Sequence, residues 1–163
     1  MHIKLINKKL LFGKYKVKCA TGKRGISKKK KEGDNITPKG TFRFIGVFYR
    51  KDRIPLIKTK LKKSIIKRNM GWCDDCRSKF YNKMIKFPFK FRAEKLYRRK
   101  SLYDIILVLN YNYKPVVKNK GSAIFIHIAS NKYSPTKGCI AISKKNMIAL
   151  LSLISKKSKI TIF

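Results

Sequence analysis

The sequence predicts a mainly β domain, a sandwich or partly closed barrel with one or two peripheral α-helices. Three observations lead there. Short runs rich in β-branched and aromatic residues, at Thr41 to Tyr49, Tyr103 to Tyr111, Ala123 to Ile128 and Cys139 to Ile142, alternate with polar stretches carrying Gly, Pro and Asn. Apolar residues at helical spacing form a clear stripe near the carboxyl end, at Met147, Leu150, Leu151 and Ile154. A chain of 163 residues that is 44% apolar is one domain by size, residues 1–163, with enough material for a proper core.

Taken in order, Met1 to Gly13 reads as a strand or hairpin; it is basic but lacks the apolar centre of an export signal. Lys14 to Cys19 alternates Tyr15, Val17 and Cys19 with lysines, the pattern of a strand with one buried face. Thr21 to Lys31 is a loop with Gly22 and Gly25, ending in the lysine run Lys28 to Lys31, a solvated surface. Thr37-Pro38-Lys39-Gly40 is a turn that feeds the strand Thr41 to Tyr49, with Phe42, Phe44 and Phe48 on one face.

Lys51 to Met70 is basic, broken by Pro55, and reads as a flap or peripheral insertion. Gly71 to Asn82 is a loop that gathers Trp72, Asp74, Asp75 and Tyr81, while Ala93 to Lys100 is a short helical piece. Tyr103 to Tyr111 is nearly unbroken in its apolar character and belongs in the sheet centre, covered on both faces. Ser143 is an N-cap for a helix over Lys144 to Ser155, and Lys159 to Phe163 closes the domain as a strand. No segment reaches the roughly 18 consecutive apolar residues of a membrane span.

Charge dominates the composition. There are 43 basic residues against 7 acidic, a net charge of +36. Of the basic residues 34 are lysine and 9 arginine, and arginine is the better bidentate reader of phosphate. A lysine excess spread over the whole length, with neutral residues leaning to Ile, Asn, Phe and Tyr, reads as the codon bias of an AT-rich genome before it reads as a nucleic-acid surface. The alternative function is a small basic nucleic-acid-binding protein in which Phe42, Phe44 and Tyr49 stack bases while lysines follow the phosphates. That reading accounts for the charge alone.

The chemistry concentrates between Gly121 and Ser143. Pairing Ala123 to Ile128 with Cys139 to Ile142 brings His127 and Cys139 together at one rim of the sheet. A thiol with a pKa near 8.5 is only a few per cent thiolate at neutral pH, and a neighbouring imidazole accepts its proton, so the two form an acyl-transfer nucleophile and its base. Gly138 removes a side chain where substrate must approach, and its carbonyl is a candidate to orient the imidazole, as is Thr136. Backbone amides near Cys139 are candidate oxyanion donors. Cys73 and Cys76 have the two-residue gap of a zinc half-site, but no second pair accompanies them, so no metal is expected; ordinary thiols, or a local or regulatory disulfide, are the remaining readings. Glycine-rich phosphate loops and nucleotide fingerprints are absent from the sequence, and no cofactor is expected.

His127-Ile128-Ala129 followed by Ser134-Pro135-Thr136-Lys137-Gly138-Cys139-Ile140-Ala141-Ile142-Ser143 resembles the catalytic motif of the YkuD-type L,D-transpeptidases. Two further blocks fall in the same order. Gly33-Asp34-Asn35-Ile36-Thr37-Pro38-Lys39-Gly40-Thr41-Phe42 resembles the family's Gly-Asp-x-x-Thr-Pro-x-Gly-x-Phe segment, and Gly71-Trp72-Cys73-Asp74-Asp75 with Tyr81-Asn82 resembles a block in one of its branches. Together they cover about Cys19 to Ser143. The chain departs from many relatives at Ile128, where they have glycine, and at Ala141, where they have arginine, which bears on substrate contacts more than on the chemistry.

The resemblance implies a YkuD-like fold and peptidoglycan L,D-transpeptidation, or the related L,D-carboxypeptidation, through a thioester on Cys139. It implies that Cys139, His127 and Gly138 are catalytic, and that Trp72, Asp75, Tyr133 and Thr136 contact substrate. The expected partners are peptidoglycan stem peptides, with no specific nucleic acid and no transmembrane segment, and the chain is expected to be a monomer. The family's substrate places it in the bacterial cell envelope, although no export signal is visible in this sequence.

Overall fold

The computed structural model describes residues 1–28 and 31–163. At its start a hairpin forms from β1 (His2–Ile6) and β2 (Lys9–Phe12). Asn7 and Lys8 join them with φ of 48° and 57°, the left-handed pair that matches a two-residue turn to the twist of its strands. β3 (Tyr15–Lys18) pairs with β2. β4 (Ile26–Ser27) and β5 (Thr37–Pro38) form a short parallel pair, so Thr37-Pro38 is extended where the sequence reads as a turn. The lysine run falls partly on Lys29 and Lys30, which lie outside the described residues; Lys28 and Lys31 are exposed.

β6 (Gly40–Tyr49) is the long central strand, and β7 (Lys63–Ile65) lies parallel beside it. Its register against β11 (Ile105–Leu109) slips between Val108 and Leu109, which pair with Gly46 and Phe44. This bulge at Ile45 reverses the alternation of faces. Phe42 and Phe44 therefore face the main core while Phe48 faces the opposite way, and the three phenylalanines do not share a face as their spacing suggests.

Residues 51–62 place Ile54, Ile57 and Leu61 in the main core, which anchors a segment that composition alone marks as a flap. β8 (Met70–Cys73), β9 (Met84–Lys86) and β10 (Ala93–Lys95) make a separate three-stranded sheet. The strand β8 takes in part of the stretch expected to be loop. Ala93 to Lys100 is likewise not helical: its first three residues pair with β8, because cross-strand contacts override the helix preference of Ala-Glu-Lys. A single 3₁₀ turn follows at Ser101–Tyr103.

β12 (Phe125–Ile128), β13 (Ile140–Ile142), α1 (Lys144–Leu153) and β14 (Lys159–Ile162) complete the chain. Ser143 caps α1 by accepting the Asn146 amide at 3.2 Å. The main sheet runs β13-β12-β11-β6-β14-β1-β2-β3. Its two ends meet where Ala20 and Ala141 exchange both backbone hydrogen bonds, at 2.8 and 2.9 Å. The result is a nearly closed, barrel-like sheet, 37% strand against 8% helix over the chain. A near-closure of this kind leaves few unpaired edges.

Inside lie Ile3, Leu5, Leu10, Phe12, Val47 and their neighbours, with Met147, Leu150 and Leu151 of α1 and its C-cap Ile154 packed among them. β11 and β12 are buried on both faces. Ile105, Leu107, Ile126 and Ile128 turn inward, while Ile106, Val108 and Phe125 turn outward into a second apolar cluster with Met70, Trp72, Leu96 and Tyr103. That outer cluster includes Met70 and Trp72 of the small sheet, and Cys139 packs against it.

Candidate active site

β12 and β13 lie parallel, with Ile126 opposite Ile140 and His127 opposite Ala141. Side chains alternate strictly along a strand. Since Ile126 and Ile140 point into the main core, His127 and Cys139 point to the other face. Cys139 stands one residue before β13, and the Phe125 amide donates to its Sγ at 3.4 Å. His127 is two residues beyond Phe125, so thiol and imidazole are diagonal neighbours on adjacent strands, one face, one rim. Cys139 is half-buried and the imidazole is 7% exposed.

The ring orientation is set by a backbone carbonyl. His127 Nδ1 lies 2.9 Å from the Ile128 oxygen. A carbonyl only accepts, so Nδ1 carries the hydrogen and Nε2 keeps its lone pair. The sequence reading offers the Gly138 carbonyl or Thr136 as this partner; in the structure the partner is the Ile128 carbonyl instead, while the Gly138 carbonyl accepts from Thr37 and the Thr136 hydroxyl donates to the Cys139 carbonyl. Burial pulls the imidazole pKa down from its ordinary 6.5 to about 4, the Ile128 hydrogen bond opposes this, and the Arg98 charge adds to the lowering. The ring is therefore neutral throughout the neutral range.

Gly138 has φ +129°, and a Cβ built there meets the Ile36 carbonyl oxygen at 2.8 Å, so only glycine fits the turn that presents the thiol. Its carbonyl accepts from Thr37 Oγ1 at 2.8 Å, and the same hydroxyl accepts from the Gly22 amide at 2.8 Å. Thr136 Oγ1 donates to the Cys139 carbonyl at 2.5 Å and accepts the Gly138 amide at 3.1 Å. Backbone hydrogen bonds from Thr136 to Thr21 and from Lys23 to Thr136, at 2.9 and 2.8 Å, tie this loop to the segment between β3 and β4. Tyr133, in the left-handed region at φ 53°, is half-buried, with Lys18 Nζ 4.9 Å from its ring centre.

Trp72 and Asp75 are buried. The indole N–H donates to Asn82 Oδ1 at 3.0 Å, and the ring meets Phe125 edge-on at 5.4 Å, placing Trp72 directly behind the residue that contacts the thiol. Asp75 is held by Arg77 in a two-point ion pair, at 3.0 and 2.7 Å, and also accepts the amides of Arg77 and Arg92. Those hydrogen bonds, led by the Arg77 side chain, hold its carboxyl well below the usual range.

Among the described residues, the four cysteines form no disulfide. Cys19 is buried, its pKa pushed up to about 12 by desolvation, and Cys73 is fully buried. Cys76 is half-buried, 3.6 Å from Asn119 Oδ1. Among the described residues, no three His, Cys, Asp or Glu side chains gather as metal ligands.

Two cavities of about 540 and 520 Å³ flank Tyr113, Lys114 and Pro115, and neither includes Cys139 or His127. Their linings contain neither cysteine nor histidine, so a thiol beside an imidazole is found at the β12–β13 rim and not in these cavities. Sequence reasoning passed over three residues at this rim. Thr37 stands in a quoted block but reads there as a turn residue, and Tyr103 reads only as the start of a strand. Arg98 carries no local signal at all, since its place depends on the fold.

Residues 4–162 match the family model described as YkuD, L,D-transpeptidase catalytic domain. The match extends well beyond the three motif blocks, to both ends of the barrel. No curated protein and no solved structure matches the chain.

Proposed function

The chain belongs to the YkuD family of L,D-transpeptidase catalytic domains, and from that premise we propose that it is a cysteine acyltransferase acting on peptidoglycan stem peptides. The observation that carries the reading is the pairing of Cys139 and His127 on one face of adjacent parallel strands, with Nδ1 engaged by the Ile128 carbonyl and Nε2 left as the base.

The reaction proceeds in two acyl transfers. Nε2 of His127 takes the Cys139 proton as the sulfur attacks the carbonyl preceding a terminal D-residue. The S–C bond forms, the C–N bond breaks, and the imidazolium returns its proton to the leaving amine. An acceptor amine of a second stem, or water, then attacks the thioester; His127 takes the acceptor's proton and returns it to the departing thiolate. Backbone amides beside Cys139 hold the oxyanion, each such donor being worth roughly 3 to 4 kcal/mol. Gly138 keeps the approach to the sulfur clear, Tyr133 and Thr136 border the substrate groove, and Trp72 and Asp75 shape it from behind.

The family acts on stem peptides and is typically associated with the cell wall. We place this chain there, where its positive charge attracts it to an anionic wall at low salt. Among the described residues no helix is long and apolar enough to cross a membrane. The nucleic-acid reading gains nothing from the fold: Phe44 is buried in the main core, and Phe42 and Tyr49 pack against it.

A stem peptide ending in a D-residue, incubated with and without a labelled D-amino acid, tests the assignment by mass spectrometry. Release of the terminal residue, or its exchange for the label, is expected from the wild type and not from Cys139→Ala. Equal inactivity of both folded proteins would overturn it.

A further inference from the structure

Among the described residues, the His127 ring makes one hydrogen bond, to a carbonyl on its own strand, and that bond leaves the imidazole to be steadied from its other side. The group standing there is Tyr103, from the 3₁₀ turn before β11. The two rings meet at 68° with centroids 5.3 Å apart, an edge-to-face contact. The same tyrosine ring meets Phe125 at 6.1 Å and 86°, and the Phe125 amide touches Cys139. One ring thus braces both residues of β12 that frame the thiol.

Tyr103 is itself locked. It is 5% exposed, and its hydroxyl donates to Glu94 Oε1 at 2.9 Å. Arg98 Nη2 donates to the same oxygen at 2.6 Å, and Arg98 Nε donates to the Lys95 carbonyl at 3.0 Å. The guanidinium also lies over the Tyr103 ring, 4.2 Å from its centre. Ring, carboxylate and guanidinium close a triangle that ties β10 to the 3₁₀ turn.

We propose that Tyr103, clamped by Glu94 and Arg98, is the positioning residue for His127, holding the imidazole so that Nε2 faces the thiol and keeping water from its buried side. It acts through its ring, which meets the imidazole edge-to-face. The inference rests on reading His127 as the base. Removing the ring admits water and rotation, so the imidazole titrates nearer its ordinary value and the chemical step slows while substrate binding stays.

The test compares wild type, Tyr103→Phe and Tyr103→Leu. The chain has two histidines, and His2→Gln assigns the His127 signals in a proton NMR titration. Expected for Tyr103→Leu is a titration displaced upward from the wild-type midpoint, with kcat for release of the terminal D-residue reduced tenfold or more and KM within twofold. Tyr103→Phe keeps the wild-type midpoint and kcat within threefold. A Leu variant that changes neither, or a Phe variant that falls as far as Leu, would overturn the proposal.

A wild type without turnover would end the transpeptidase reading, whereas the titration arm still decides the positioning role. Should the Leu variant not fold, the wild type suffices: His127 and Tyr103 ring protons are expected to cross-relax, with one sharp set of imidazole signals. Absence of that cross-relaxation in the folded protein would overturn it equally.

Discussion

The Thr37 hydroxyl donates to the Gly138 carbonyl at 2.8 Å, across 101 residues of sequence. It simultaneously accepts the Gly22 amide at 2.8 Å, so one buried oxygen fixes the turn that carries Cys139 to the short β4–β5 pair. Thr37→Val keeps the shape and removes both hydrogen bonds, leaving an amide and a carbonyl unpaired. The expected loss is about 2 kcal/mol or more in urea unfolding, with acyl-enzyme formation at Cys139 slowed at least tenfold. Thr37→Ser, which keeps the hydroxyl, is expected to stay near wild type in both measurements.

Gly138→Ala forces a side chain into the left-handed region at φ +129° and against the Ile36 carbonyl at 2.8 Å. A loss of at least about 2 kcal/mol is expected, read by thermal unfolding. The control is Gly33→Ala, at φ +75° with nothing within 4 Å of the new methyl. There the backbone penalty acts alone, about 1 kcal/mol.

The buried imidazole gives both stability and activity a pH signature. In the folded chain His127 titrates near 4, below its ordinary 6.5, so as the pH falls the unfolded chain takes up the proton first. Stability is whole above about 6.5 and is lost as pH falls through that window toward 4, about 3 kcal/mol in total. His127→Gln should flatten this slope in denaturant titrations at pH 4 to 7. Asp52, lowered to about 2 by its Arg50 hydrogen bonds, adds its own loss only at still lower pH. Turnover needs the neutral ring, so its acid limb is expected near 4 and not at the ordinary imidazole value.

Trp72→Phe separates packing from substrate contact. The smaller ring can still meet Phe125, but Asn82 loses the indole donor now 3.0 Å away. A loss of about 1 to 2 kcal/mol is expected, with KM changed less than threefold if Trp72 shapes the groove from behind. A KM raised tenfold at full folding would place the indole against the substrate itself.

Much of this architecture is legible in the sequence because burial dictates the pattern. Ile105 to Leu109 reads as a central strand since both faces are covered, and Ser143 with Met147, Leu150 and Leu151 spells out a capped helix on the core. The juxtaposition of His127 with Cys139 on neighbouring strands is legible too, since one apolar run ends with the first and the next starts with the second.

What escapes is whatever depends on a distant partner. Ala93-Glu94-Lys95 has helix-forming residues and becomes a strand only because Gly71 to Cys73 lies beside it. The bulge at Ile45 turns Phe48 away from Phe44 without a local cue beyond Gly46. The acceptor for His127 is the carbonyl of the very next residue, while the two acceptors suggested by the sequence bond elsewhere, Gly138 to the Thr37 hydroxyl and Thr136 to the Cys139 carbonyl. Tyr103 emerges at the site only when Glu94 and Arg98 fold over it.

Intact-mass analysis after exposure to a carbapenem tests the central claim most directly, because ring opening by a thiolate leaves the whole molecule attached as a thioester. Wild type should gain one adduct, mapped to Cys139, while Cys139→Ala gains none and His127→Ala acylates at least a hundredfold more slowly. A folded, reduced wild type that stays unmodified, or an adduct that persists in Cys139→Ala, would contradict the account.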